Sequence, residues 1–265
     1  MNDDPVVLMR EHPELIRMGV VYMGGFLLIA IVGWMRVYHR AKLGILRQVT
    51  SVPFPLPFTL GLGFFLILLG VLFGVRGYPA LITSVIGFFF LMHQVGRPIL
   101  SVLGLDRFSF SKIACTALGI GAIVMAPIYL LSSVNALICN LFNIDVTAQP
   151  LIFEFLKMTD TKSVLSFMAI AVFAAPMTEE ILFRGLLYPV IRDQFGIKIA
   201  ALVSGSLFAA AHLHFPTFLP LMFLGIVFAL AYEFSGSLLL TMMIHATFNL
   251  FSVMNLLMLK PYLLK

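Results

Sequence analysis

Three short clusters late in this 265-residue chain carry side chains able to do chemistry. The first is Glu179-Glu180 followed by Arg184. Glu180 and Arg184 are i,i+4 and share a helix face, so they can pair. Glu179 is turned about 100° away and stays available to another partner. The second is His212, preceded by Phe208 and the small run Ala209-Ala210-Ala211, which lets a neighbouring backbone come close. His214, just before Pro216, reads as peripheral. The third is His245 and Asn249, again i,i+4 on one face. Singly, each cluster has a bland reading: a Glu–Arg pair gluing helices, a satisfied core histidine, an interhelical hydrogen bond. Together they supply carboxylate, imidazole and amide, the equipment for activating water. A Glu would act as general base with a His beside it, and His/Asn donors would receive an oxyanion. The same Glu and His residues could instead hold a divalent metal that activates the water. Ser204, Ser206 and Thr247 lie nearby, but none sits in a nucleophile motif. A His-Glu-x-x-His metal site is absent.

These groups must be positioned by helices in a membrane. The chain is 61% hydrophobic and only 11% charged, against about 45–50% and 25% in an average soluble domain. That composition excludes a disordered chain, a disulfide scaffold and an ordinary water-soluble enzyme. Apolar stretches at 18–35, 58–75, 78–95, 113–135, 163–191, 197–213, 217–233 and 237–259 are each long enough, or nearly so, to span a bilayer. The predicted fold is all-α, a polytopic transmembrane bundle of about eight spans. Residues 1–162 form scaffold spans and 163–259 a catalytic core, in one integrated membrane domain. The break at 136–162 reads as a solvated loop with an interfacial helix around Leu151–Met158. Pro176 is expected to kink or restart its helix, with Thr178 as N-cap. The carboxylates would then suit the dipole of the new helix start.

The depth of the clusters supports convergence. If the turns near 193–197 and 236 lie on one membrane face, Glu179, His212 and Asn249 stand roughly 20–22 Å from it, with His245 one turn shallower. An ionisable side chain inside a span is costly and points to function.

The net charge of +5 does not make a nucleic-acid site. Arg36, Arg40, Lys42 and Arg47 form a juxtamembrane cluster that sets topology. Cys115 and Cys139 are about 36 Å apart on a continuous helix, which argues against a bridge between them. The acidic N-terminus (Asp3, Asp4, Glu11, Glu14) does not suit a signal peptide, so the first apolar run reads as a retained span. Pro-rich 53–58 separates the first two spans, and Gly70-x-x-x-Gly74 could mark close helix packing.

The ordered set Glu179-Glu180-x-x-x-Arg184, Phe208-x-x-x-His212 and His245-x-x-x-Asn249 resembles the motifs of the CPBP intramembrane proteases. These are the type II CAAX prenyl proteases and their bacterial relatives, also called the Abi family. Phe183-Arg184-Gly185-Leu186-Leu187, Phe223-Leu224-Gly225 and Ser235-Gly236-Ser237-Leu238 look similar too. The resemblance covers about 163–255. It implies an endopeptidase of the cell membrane whose site lies inside the bundle. The substrate would be a membrane-associated or prenylated peptide or protein, the partner the lipid bilayer, with no nucleic acid. Glu179 would be general base or metal ligand, with His212 beside it; His245 and Asn249 would bind metal or stabilise the oxyanion; Glu180 and Arg184 would support them. The family is described both as metal-dependent, with zinc as the candidate metal on Glu179, His212 and His245, and as using a Glu/His-activated water.

Two orientations compete. The basic loop at 36–47 and eight spans put both termini outside and open the site towards the outside, whereas CAAX-type relatives imply cytosolic access. A membrane immunity or scaffold protein and a proton-coupled transporter are the alternative functions. The complete Glu/His/His/Asn set disfavours the first, and the lack of an internal repeat disfavours a repeat-built transporter.

Overall fold

A computed structural model describes residues 99–146 and 149–263. The spans predicted at 18–35, 58–75 and 78–95, the basic cluster at 36–47, the Pro-rich 53–58 and the Gly70/Gly74 pair lie outside the described residues.

The described chain is helical. α1 (Ile99–Leu103) leads into the long α2 (Phe110–Leu141), and α3 (Pro150–Lys157) follows. The path then runs through α4 (Thr161–Ala169), a π segment (Ile170–Ala174), α5 (Ala175–Glu180), a second π segment (Ile181–Leu187) and α6 (Tyr188–Ala211). A short 3-10 turn at Phe215–Thr217 precedes α7 (Phe218–Ser235) and α8 (Leu238–Leu263).

Among the described residues four helical stretches are long and apolar enough to cross a membrane: Phe110–Leu141, Thr161–Ala211, Phe215–Ser235 and Leu238–Pro261. The 51-residue stretch is broken at Gly196, whose φ of 79° and ψ of 170° suit only a residue without a Cβ. The break separates the spans read at 163–191 and 197–213. Large apolar side chains such as Leu130, Leu165, Phe173 and Leu202 lie exposed on these helices, as a lipid-facing surface requires. The protein is therefore an integral membrane protein of all-α class.

Helix ends follow local chemistry. Asp160 caps α4 by accepting from the Ser163 amide at 2.9 Å, which holds its carboxyl below the usual carboxylate range. Gly236 ends α7 in the left-handed conformation with φ 63°. Ser237 Oγ then accepts from the Leu240 amide to start α8 and donates to the Leu103 carbonyl. Arg107 donates to the Gly236 carbonyl, tying the residues after α1 to the same turn. The interfacial helix expected at 151–158 is present as α3, and α2 runs on beyond its predicted end to Leu141.

One expectation is overturned. Of the kink or restart expected at Pro176, the restart does not occur, and Thr178 is not an N-cap. Helical geometry runs through Pro176, and Thr178 Oγ1 donates to the Ala174 carbonyl at 2.9 Å, one turn back. The chain tolerates the proline by widening into the π register just before it. The carboxylates therefore sit inside a continuous helix and gain nothing from a helix start.

The backbones of α6 and α7 approach closely at two glycines. A Cβ built on Gly225 would lie 2.7 Å from Gly205 Cα, and one on Gly205 would lie 2.7 Å from the Met222 carbonyl oxygen. Only glycine at both positions lets the two backbones approach this closely.

Candidate active site

The site is built outward from Arg184. This guanidinium is fully buried and lies against the rings of Phe183, Phe208 and Phe228, 4.9–5.7 Å from their centroids. Nη1 donates to Glu180 Oε1 at 3.0 Å and Nη2 to the Gly225 carbonyl at 2.8 Å. The Gly205/Gly225 contact brings α7 close to the neighbouring helix, and the α7 backbone supplies this acceptor. The aromatic faces complement the cation on the sides that hydrogen bonds leave open.

Glu180, itself fully buried, also accepts from His245 Nδ1 at 3.1 Å on the same Oε1. With Nδ1 committed to that carboxylate, the other ring nitrogen points to the opposite side. His245 Nε2 stands 3.9 Å from Glu179 Oε2. The imidazole is stacked on Phe228 with centroids 4.8 Å apart and meets the Phe208 ring edge-on at 5.6 Å. Its ring orientation is thus set by a carboxylate and two phenyl rings together.

Glu179 differs from Glu180 in its surroundings. Its side chain is 30% exposed, and Oε2 accepts no hydrogen bond. The 100° offset expected from sequence is what separates the two acids: one is bound to a guanidinium, and the other turns towards His245 an oxygen, Oε2, that is buried without a hydrogen-bond partner.

His212 ends α6. Its Nδ1 donates to the Phe208 carbonyl at 2.9 Å, which leaves Nε2 with its lone pair free. Its ring lies 5.0 Å from the Phe208 ring, so His212 and His245 flank the same phenyl group. His214 Nδ1 pairs with Thr217 Oγ1 at 3.0 Å, and its Nε2 is buried without a hydrogen-bond partner.

Asn249 goes elsewhere. Its Nδ2 donates to the Ala171 carbonyl at 2.7 Å, two turns before Glu179. The structure thus joins Glu179, Glu180, Arg184 and His245 directly, reaches His212 through Phe208, and commits Asn249 to a backbone oxygen.

Among the described residues no three His, Cys, Asp or Glu side chains stand together as a metal-holding group. Glu179 and His245 face each other, and the expected third ligand, His212, does not complete the set. The described donors as arranged do not fit a three-ligand metal centre.

Sequence reasoning passed over Phe228. It lies three residues after Gly225, on the same side of α7, and that spacing was the available signal. A second buried acid was also missed. Glu233, at the end of α7, accepts from Tyr188 Oη at 3.0 Å and pairs with Arg192 at 3.4 Å. This group ties α6 to α7, with Tyr188 one turn after Arg184 and Arg192 one turn before Gly196.

An α-helical membrane protein with buried acids and imidazoles gathered from separate spans defines the class. Residues 161–251 match the family model described as type II CAAX prenyl endopeptidase Rce1-like, in agreement with the motif resemblance. The match covers the helices that carry every residue of the cluster. No curated protein and no solved structure matches the chain.

Proposed function

We propose that this protein is an intramembrane endopeptidase of the cell membrane that hydrolyses a peptide bond of a membrane-associated, CAAX-type prenylated substrate. The observation that supports it most is the Glu179 carboxylate, free of hydrogen bonds on the oxygen that faces His245 Nε2, with His245 braced by Glu180 and Arg184. The Rce1-like match of the same segment supports the reaction class and the substrate class.

In this reading Glu179 removes a proton from a water molecule, whose oxygen attacks the scissile carbonyl carbon. His212 Nε2, the free acceptor at the end of α6, orients that water. The proton passes from Glu179 to His245 Nε2, and Glu180 holds the resulting imidazolium through Nδ1. Collapse of the tetrahedral adduct breaks the C–N bond, and the proton leaves on the amine. Phe183, Phe208 and Phe228 pack against Arg184, and the last two also against His245, and so shield the Arg184–Glu180–His245 contacts from water, which strengthens them.

The test compares wild type with Glu179→Gln, both purified in detergent and shown to unfold at similar temperatures. Each is given prenylated and unprenylated peptides ending in a CAAX sequence. Wild type should cleave the prenylated peptides, and the variant should lose about 100-fold or more of that rate. Equal rates in the two proteins would remove Glu179 from the chemistry.

A further inference from the structure

The π segment before Pro176 leaves one backbone group that needs explaining. In this segment the Ala175 amide donates five residues back, to the Ile170 carbonyl. The next amide in that register belongs to residue 176, and its acceptor would be the Ala171 carbonyl. Proline has no N–H to give. The Ala171 oxygen is therefore deprived of its helical donor inside a membrane-spanning segment, where no water is at hand to replace it. Asn249 Nδ2 supplies the missing donor at 2.7 Å, from α8.

This contact has a consequence for the site. Glu179 and Glu180 follow Pro176 by three and four residues, so the register of the π segment sets the direction in which both carboxylates project. Asn249 lies one turn after His245 on α8. One helix thus places the imidazole against the carboxylates with one residue and holds the register of their own helix with another.

We propose that Asn249 is a positioning residue: its amide replaces the N–H that Pro176 lacks, and so fixes the π register that aims Glu179 and Glu180 at His245. This gives one N–H of the Asn249 amide to the backbone of the carboxylate helix. The reading of its catalytic effect rests on the proposed peptidase activity.

The test is a double-mutant cycle of Asn249→Ala and Pro176→Ala, assayed with the prenylated peptide and by heat unfolding in detergent. Pro176→Ala restores an N–H that can reach the Ala171 carbonyl, so it should make Asn249 dispensable. In the Pro176 background, Asn249→Ala should lower kcat by about tenfold or more with KM nearly unchanged. In the Pro176→Ala background the same change should cost about threefold or less. The unfolding temperature should show the same coupling, with Asn249→Ala harmful only while Pro176 is present. Equal losses of activity and of unfolding temperature in the two backgrounds would overturn the proposal. If wild type cleaves no peptide, the peptidase reading falls, and the unfolding cycle alone still decides whether Asn249 serves Ala171.

Discussion

His245 Nδ1 donates to Glu180 Oε1 at 3.1 Å, on the same oxygen that accepts from Arg184 Nη1 at 3.0 Å. One carboxylate oxygen therefore carries both the cation that neutralises it and the imidazole it orients. Glu180→Gln keeps an acceptor for both donors but removes the charge. It should fold and cleave peptide about tenfold or more slowly, because the imidazolium formed in turnover loses its counter-charge. Glu180→Ala leaves a buried guanidinium unpaired and should lose about 3–5 kcal/mol of stability. Denaturant titration in detergent and steady-state kinetics on the two variants separate the effects.

Phe228 lies against both partners of Glu180. Its ring is stacked on His245 at 4.8 Å and lies under Arg184 at 5.0 Å. Phe228→Leu keeps an apolar side chain in the gap and removes the π face. The expected loss is about 1–2 kcal/mol of stability, with a fall in kcat from a less confined imidazole. An unchanged kcat would show that Glu180 alone is sufficient to orient His245.

The glycine contact between α6 and α7 predicts a distant effect. Gly225→Ala places a Cβ 2.7 Å from Gly205 Cα, and neither backbone can yield without separating the helices. Separation would draw the Gly225 carbonyl away from Arg184 Nη2. We expect a loss of about 1–3 kcal/mol in stability and reduced activity, although Gly225 has no side chain to take part in chemistry. Gly119, whose added Cβ meets nothing within 4 Å, is the control position: Gly119→Ala should change neither property.

Metal dependence follows from the ligand count. With Glu179 and His245 facing one another and no third donor completing a set among the described residues, cleavage should survive incubation with a strong chelator. Purified protein should also carry less than stoichiometric zinc. Stoichiometric zinc that disappears in His212→Ala would instead mean that His212 closes a ligand set on binding.

The legible part of the site was the part governed by local helix geometry. The i,i+4 spacing predicted the Glu180–Arg184 pair, and the angular offset predicted that Glu179 would stand apart from it. The grouping of polar residues at similar depth predicted that α8 would bring His245 to the carboxylates. What stayed hidden depends on departures from the regular helix or on backbone atoms. A period of 3.6 residues cannot reveal the π segment, so Pro176 reads as a restart and Thr178 as a cap. The partners of Asn249 and of Arg184 Nη2 are the carbonyls of Ala171 and Gly225, and a sequence names side chains only. Phe228 escaped notice because a phenylalanine in an apolar span is unremarkable until an imidazole is found stacked on it.

The Glu180–Arg184 contact is local to a single helix, and this bears on how the chain enters a bilayer. A span carrying a lone arginine or a lone glutamate would resist insertion. Here the two charges can meet one turn apart as soon as that turn of helix forms, before any neighbour has docked. Glu180 and Arg184 can thus enter lipid as a paired unit, which leaves Glu179 as the one carboxylate of this stretch without a cation beside it. The Gly225 carbonyl and His245 need α7 and α8, which are made later, so they have no part in that first step. The arrangement of the finished site thus preserves an order of assembly: the helix pairs Glu180 with Arg184 first, and the later helices convert that pair into a brace for an imidazole.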